Sequence, residues 1–528
     1  MATDLLLQAI LLPVVASPIS YYLGKKYGSK SAWFSFAILA YATVAILLAY
    51  QRGDTGEYYN WFPISLSGAS SSSVLSTVGS FGLYIDGVSL PFSVTILLLC
   101  TAVSLYSVPY MKHRIYEQEG LLGKSEGEKE PKENAKTKSR VGLYFALLLL
   151  YSTGMVGTVL ATNLIELYFF FEFMLVPSYF LIAEFGYGQR GRISFMYLLW
   201  THIGALLMLL SFLAMGSLAN SFIFQGPDAL NASLIVGKLI PWIVFGIIVG
   251  LFVKLAAVGL HIWLPYAHAE APTPISALLS PAMIGIGGYV VIRMLTTLLP
   301  GAYAEIGLGI AVWGVLTMFY GGIMALAQDD IKRLLAYSSI SQMGYIIFGI
   351  GTYTANGLEG SVFQFISHGT GKAILFMVAG IIIVQSGGLR SIKNMGGLSS
   401  KLPVTATCAM IGFLALMGFP ETNGFQSEWL IFAGGLFNGS ASGSMASIWL
   451  IVSILAVIST IITASYTLWT MKRVFFGELK PGLENVKEAS GYMLGPIIFL
   501  ALITILLGIL PGIAVNPIVH TIGSYNLP

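Results

Sequence analysis

An all-α, polytopic membrane fold is predicted by three features: a composition poor in charge, apolar runs of membrane length, and basic residues confined to the ends of those runs. Of 528 residues 56% are hydrophobic and only 10% are charged, where a soluble domain carries about 25% charged residues. Apolar runs of roughly 20 residues recur along the chain, each long enough to cross about 30 Å of hydrocarbon as a helix. Strands of about ten residues alternating apolar and polar, the mark of an outer-membrane barrel, are not seen.

The hydrophobic pattern predicts about fourteen spans, near residues 4–23, 31–50, 88–110, 141–161, 163–184, 193–216, 238–263, 276–299, 306–326, 335–352, 363–386, 403–437, 447–473 and 491–515. The run from Leu5 reads as a permanent span, because no basic region or small-residue cleavage site marks a removable signal. The stretch 403–437 is too long for one crossing and is broken by GFPETNG, Gly418 to Gly424, so it reads as two half-helices. With both ends outside, the inward loops hold Lys25, Lys26, Arg190, Lys332, Arg333, Arg390 and Lys472, whereas the outward segments hold Arg52 and Lys238. That asymmetry is the one expected when short cytoplasmic loops carry the excess of lysine and arginine.

A formal charge of +3, with no basic stripe, excludes nucleic acid as a partner. Cys100 and Cys408 fall inside apolar runs and read as packing residues. Without cysteine clusters or paired membrane histidines, a haem or iron–sulfur centre on this chain is disfavoured. The stretch Lys112 to Arg140, dense in both charge signs, reads as a solvated cytoplasmic loop, and the Ser-rich segment within 51–87 as a loop over the outer face.

Charges inside the apolar runs point to mechanism. Glu172 lies about 14 Å into its span, near the midplane, and reads as a proton-exchanging site or a structural ion pair. Lys254, with about ten span residues on either side, is too deep to snorkel and is expected to face the protein interior. His368 and Lys372, four apart on one helical face and so about 6 Å from each other, suit proton hand-off. Glu428 starts the second half of the interrupted span, where transporters place ion sites and a helix dipole favours a carboxylate. Glu421, inside the break, is read as a cap or a relay group. His261 and His268, flanking LPYAHAEAP, are read as polar loop residues or a proton-uptake route. The charges of DDIKR, Asp329 to Arg333, are expected to be solvated or paired, and Arg293 to snorkel from one end of its span.

The strings FFFEFMLVPSYFLIAEFG, FVKLAAVGLHIWLPYAHAEAPTPISALLS, DDIKRLLAYSSISQMGY, SHGTGKAILFMVAG and TNGFQSEW resemble the antiporter-like membrane subunits of respiratory complex I, membrane-bound nickel–iron hydrogenases, sulfur reductases and Mrp antiporters. The resemblance runs from about Tyr144 to Phe475. It implies two inverted five-helix repeats with the seventh and twelfth helices interrupted. Residues 1–140 then hold three helices and the charged loop, 141–299 helices four to eight, 300–475 helices nine to thirteen, and 476–528 a loop and the last helix.

By the same resemblance Glu172, Lys254, His368 and Glu428 take the positions of the family's glutamate, lysine, histidine and terminal charge. A terminal glutamate is similar to the chain M and Mrp D types. Two departures stand out. Gly285 or a neighbour occupies the place of a lysine on the eighth helix, and Gln342 that of a histidine, with Lys372 as a replacement charge. The resemblance implies a proton- or sodium-translocating subunit in a prokaryotic cytoplasmic membrane, of archaeal-like type, with no cofactor of its own. Its partners would be other membrane subunits, with iron–sulfur, nickel–iron or flavin centres elsewhere in the complex. The alternatives are a subunit of a stand-alone Mrp-type sodium/proton antiporter and a solute permease.

Overall fold

The computed structural model describes residues 4–53, 56–60, 80–121, 133–226, 229–440, 444–525 and 527. All but the last residue of the Ser-rich patch, and residues 122–132 of the charged stretch, lie outside them.

Helices dominate because a backbone in hydrocarbon must satisfy its own polar groups. In chain order they are α1 (Leu5–Tyr27), α2 (Ala32–Arg52), α3 (Ser89–Gln118), α4 (Ala135–Leu160), α5 (Leu164–Phe185), α6 (Arg190–Ala219), α7 (Ile240–Lys254), α8 (Trp263–Glu270) and α9 (Thr273–Leu298). There follow α10 (Pro300–Leu326), α11 (Ile331–Gly351), α12 (Ala355–Gln385), α13 (Pro403–Leu416), α14 (Asn423–Ser440), α15 (Ala446–Phe475), α16 (Gly491–Ile509) and the short α17 (Gly512–Ile522). Strands β1 (Gly56–Asn60) and β2 (Ser80–Tyr84) pair as an antiparallel hairpin between α2 and α3.

Among the described residues eleven apolar runs are long enough to span, one of them being the α1–α2 pair. Adding the two interrupted helices, α7–α8 and α13–α14, accounts for the fourteen expected crossings. In both sets α4 to α9 and α10 to α15 the interrupted helix is the fourth of five crossings.

The centre is built on α9 and α12, whose apolar windows are fully buried, while only 28% of the α15 window is. Helices α10 and α11 approach closely enough that a Cβ on Gly314 would stand 2.5 Å from the Phe348 nitrogen, the small-residue contact on which membrane helices rely in place of a hydrophobic drive.

Three expectations are corrected at the ends of helices. Residues Lys112–Gln118 and Ala135–Arg140 are helical extensions of α3 and α4, not loop. Arg114 is buried there, donating to the Phe185 carbonyl at 3.0 Å and to Glu117 at 2.6 Å. Arg293 does not snorkel. It is buried on α9 and ion-pairs with Asp86 at 2.5 Å, while Tyr289 and Tyr525 lie at 3.0 and 2.8 Å from its other nitrogens. A buried charge needs such partners, and these tie the start of α3 and the C-terminal segment to the core. Lys332 of the DDIKR run is likewise buried, donating to the Ala271 carbonyl just past the C-terminal end of α8, the end of a helix that favours a cation. Asp329 and Asp330 are paired as expected, with Asp330 capping α11 through the Lys332 and Arg333 amides and meeting Arg390 at 2.7 Å.

Candidate functional site: a line of buried ionisable groups

Each interruption leaves backbone groups that hydrocarbon cannot satisfy, and side chains satisfy them. Beyond Lys254 the chain turns through Ala256, at φ 53°, and Gly259, at φ 90°. Three indoles then take up the carbonyls of the break: Trp263 donates to Val253 at 2.9 Å, Trp313 to Val258 at 3.0 Å and Trp200 to Leu260 at 2.9 Å. His261 belongs to this scaffold. Its Nδ1 accepts from the Gly259 amide at 3.2 Å, which places the proton on Nε2, facing the Tyr320 hydroxyl at 3.0 Å. Lys254 is therefore the last residue of a half-helix and not the middle of a continuous one.

At the second break, Gln342 of α11 donates to the Leu416 carbonyl at 3.0 Å, accepts from Gln364 at 2.5 Å, and through Gln364 reaches Ser427 at 2.5 Å. Gln342 thus stitches α11, α12, α13 and α14 together; its amide is committed to holding the break open. Asn423 extends the seam, accepting from Ser367 and donating to Thr370, both at 3.1 Å. Gly418, at φ 65°, lies against the Glu428 carboxyl, and a Cβ there would stand 2.5 Å from Oε2. Gly418→Ala is expected to cost about 1–2 kcal/mol in backbone strain alone and to displace Glu428. Thermal denaturation of the purified protein, read together with ion transport, checks both effects. Glu421 also has a positive φ, 71°, but its side chain is exposed and stands apart from the buried groups.

Glu172 Oε1, Lys254 Nζ, both nitrogens of His268, both of His368, and Glu428 Oε1 are buried without a hydrogen-bond partner among the described residues, as are single atoms of Glu119, Glu166, Glu270, Arg390 and several hydroxyl side chains elsewhere. Buried polar atoms in folded proteins are nearly always paired, so two imidazoles with neither nitrogen engaged, and a lysine with no hydrogen bond at all, require a reason. Lys254 Nζ rests 4.9 Å from the centroid of the Phe171 ring, beside Glu172 in sequence. The field of Glu172 reaches it, yet the hydrogen-bond partner of Glu172 is not Lys254. It is His202, whose Nδ1 lies 2.8 Å from Oε2.

His268 is not a loop residue. It is fully buried in α8 and stacked on Phe376 of α12 at 5.0 Å. It lies within electrostatic reach of Lys332 and Lys372, and His368 within that of His268 and Lys372. Lys372 is fully buried and bonded to the Leu335 carbonyl at 3.1 Å and to Ser338, so its ammonium points into α11. The structure thus brings together Glu172 with Lys254, and His268 with His368 and Lys372. Glu428 stands beyond the Gln342 seam, next to Tyr345 and Gly418.

The place of a side chain on Gly285 is taken by the Phe365 ring, 2.3 Å from an ideal Cβ, and that ring stacks on Phe92 at 4.0 Å. Among the described residues no group of three or more metal-ligating side chains converges.

Sequence reasoning missed His202. The available signal was a lone imidazole in the middle of the apolar run of α6, in WTHIGALL, overlooked because no second charge neighbours it in sequence. Its partner is thirty residues away on α5.

Residues 161–463 match the family described as "NADH:quinone oxidoreductase/Mrp antiporter, TM", and residues 74–118 match "NADH-Ubiquinone oxidoreductase (complex I), chain 5 N-terminus". The chain is 32% identical over 382 residues to NADH-quinone oxidoreductase subunit M of Rickettsia typhi, covering 72% of this chain and 74% of that one. It is 29% identical over 514 residues to the F(420)H(2) dehydrogenase subunit M of Methanosarcina mazei, covering 95% and 94%. Its fold is similar to a chain of respiratory complex I from Thermus thermophilus, with TM-score 0.77 and 24% identity over 98% of both chains. A chain of the membrane-bound sulfane sulfur reductase is also similar, with TM-score 0.79 and 23% identity over 96% of this chain and 76% of that one. A match across more than half the residues makes this multi-pass membrane protein a member of the NADH:quinone oxidoreductase/Mrp antiporter transmembrane family.

Proposed function

We propose that the chain is an ion-translocating, antiporter-like subunit of a redox-driven membrane complex, moving protons along Glu172, Lys254, His268, His368, Lys372 and Glu428. One observation carries this reading: most of these residues keep a buried acid or base atom without a protein partner. An acid or base in the membrane interior is expensive and marks ion pathways, and unfilled hydrogen-bonding capacity is what a relay through interior water uses. Lys254 and Lys372 carry the charges whose movement couples the two halves, because Coulomb attraction is strengthened where the dielectric is low. A partner redox event that draws the Glu172 proton away changes the charge felt by Lys254, and the change passes along the line. Partner subunits hold the redox centres, and the complex sits in the cytoplasmic membrane of a prokaryote.

The family description names Mrp antiporters beside the quinone oxidoreductases, which favours a second reading, a subunit of an Mrp-type sodium/proton antiporter. Purifying the tagged chain from its native membrane separates the two: redox subunits co-purify under the first, and only other antiporter subunits under the second. In energised vesicles Glu172→Gln is expected to lower proton translocation on the order of 10²-fold, the usual worth of one positioned proton-transfer group. Wild-type translocation in that variant contradicts the relay.

A further inference from the structure

The two oxygens of Glu172 face different surroundings. Oε1 is buried without a hydrogen-bond partner among the described residues, while Oε2 meets His202 Nδ1 at 2.8 Å. His202 in turn is at the side of the molecule, its side chain 43% exposed against 20% for Glu172. It sits about 18 Å along α6 from Arg190, close to mid-membrane, and its neighbours on that face, Leu199, Ile203 and Leu206, are exposed apolar residues. A half-exposed acid–base pair in such a face is poorly suited to bare lipid. It is suited to proton exchange with a protein packed over it.

We propose that His202 is the lateral proton-transfer group of this chain, passing protons between Glu172 and a titratable base on the subunit that covers α6. Protonated Glu172 gives its Oε2 proton to Nδ1, leaving a carboxylate beside an imidazolium whose Nε2 keeps its own proton. A turn of the half-exposed ring brings Nδ1–H to the neighbouring base, which takes that proton; the neutral ring, still protonated on Nε2, turns back. One O–H bond breaks at Glu172, one bond to hydrogen forms at the base, the Nδ1–H bond forms and breaks in between, and Glu172 is reloaded through Oε1 from the interior. Sequence position alone would leave His202 a hydrogen-bonded ornament of α6; the geometry makes it the continuation of the interior line to the outside.

This inference rests on Glu172 exchanging protons, so its test is read beside Glu172→Gln. Vesicles from the native host, carrying the intact complex, are energised with its respiratory donor, and membrane potential per electron is read with a charged dye. That readout survives added imidazole, which as a weak base dissipates a pH difference but not a potential. His202→Asn keeps a donor close to the Nδ1 position but carries no proton, and His202→Ala opens space for free imidazole. Both variants are expected to assemble and to lose about tenfold or more in charge moved per electron. Imidazole is expected to restore the alanine variant, with methylimidazoles following their basicities. Asn at the wild-type ratio while Glu172→Gln fails overturns the role of His202 and leaves the relay standing. A loss in both variants that no imidazole restores also overturns it, as the mark of a fixed structural partner. Normal charge movement in Glu172→Gln removes the parent reading.

Discussion

Lys254→Met is expected to leave the complex assembled and its electron transfer competent while charge translocation falls at least tenfold, on the order of the loss of one proton-transfer group. Methionine keeps the length and packing of the side chain and removes the ammonium. Lys254 Nζ makes no hydrogen bond and touches the Phe171 ring, so no carboxylate is stripped of a direct partner by the change. Carrying a lysine at this depth costs roughly 2.5–3.5 kcal/mol on insertion scales. The variant is therefore expected to unfold at the same temperature as the wild type or higher, while translocating poorly. A protein made more stable and less active by one substitution has lost a functional charge and not a structural one. Normal translocation in the variant would refute the relay.

The opposite behaviour is expected of Arg293. Its guanidinium is buried against Asp86, Tyr289 and Tyr525, and Asp86 also caps α3 through the Val88 and Ser89 amides at 3.0 and 2.8 Å. Arg293→Met leaves a buried carboxylate uncompensated, at a cost of about 3–5 kcal/mol, and releases the segment that ends in Tyr525. The double variant Asp86→Asn with Arg293→Met is expected to recover most of that loss, since what destabilises is the unpaired charge. Thermal denaturation of the four proteins in a double-mutant cycle measures the coupling. A coupling near zero would mean that the pair contributes nothing to anchoring the two ends of the chain.

The crossings were legible because hydrocarbon imposes one period and one length on every span, and the second break was legible because Gly418, Pro420 and Gly424 crowd into one stretch. The first break was not legible from residue pattern alone. Between Lys254 and Trp263 the residues other than His261 are apolar, and what ends α7 is the positive φ at Ala256 and Gly259 together with indoles donated by α6, α8 and α10. Only the family resemblance indicated it. The buried charges could be located by depth, but partnership could not, because partners come from other helices: Glu172 from α5 finds His202 on α6, and Lys372 turns to α11. For Gln342 the structure adds the partners that sequence could not supply, the Leu416 carbonyl and the Gln364 amide. His268 lay near a predicted span end, yet α8 folds it under α12 and buries it.

The central claim is that buried carboxyls on this chain change protonation as the complex turns over. Infrared difference spectra of the intact complex, oxidised minus reduced, test it most directly when wild type is compared with Glu172→Gln and Glu428→Gln. The account predicts protonated-carboxyl bands that shift with hydrogen–deuterium exchange in the wild type, one of which disappears in each variant. Spectra identical in all three proteins, with both carboxyls silent through turnover, would contradict it.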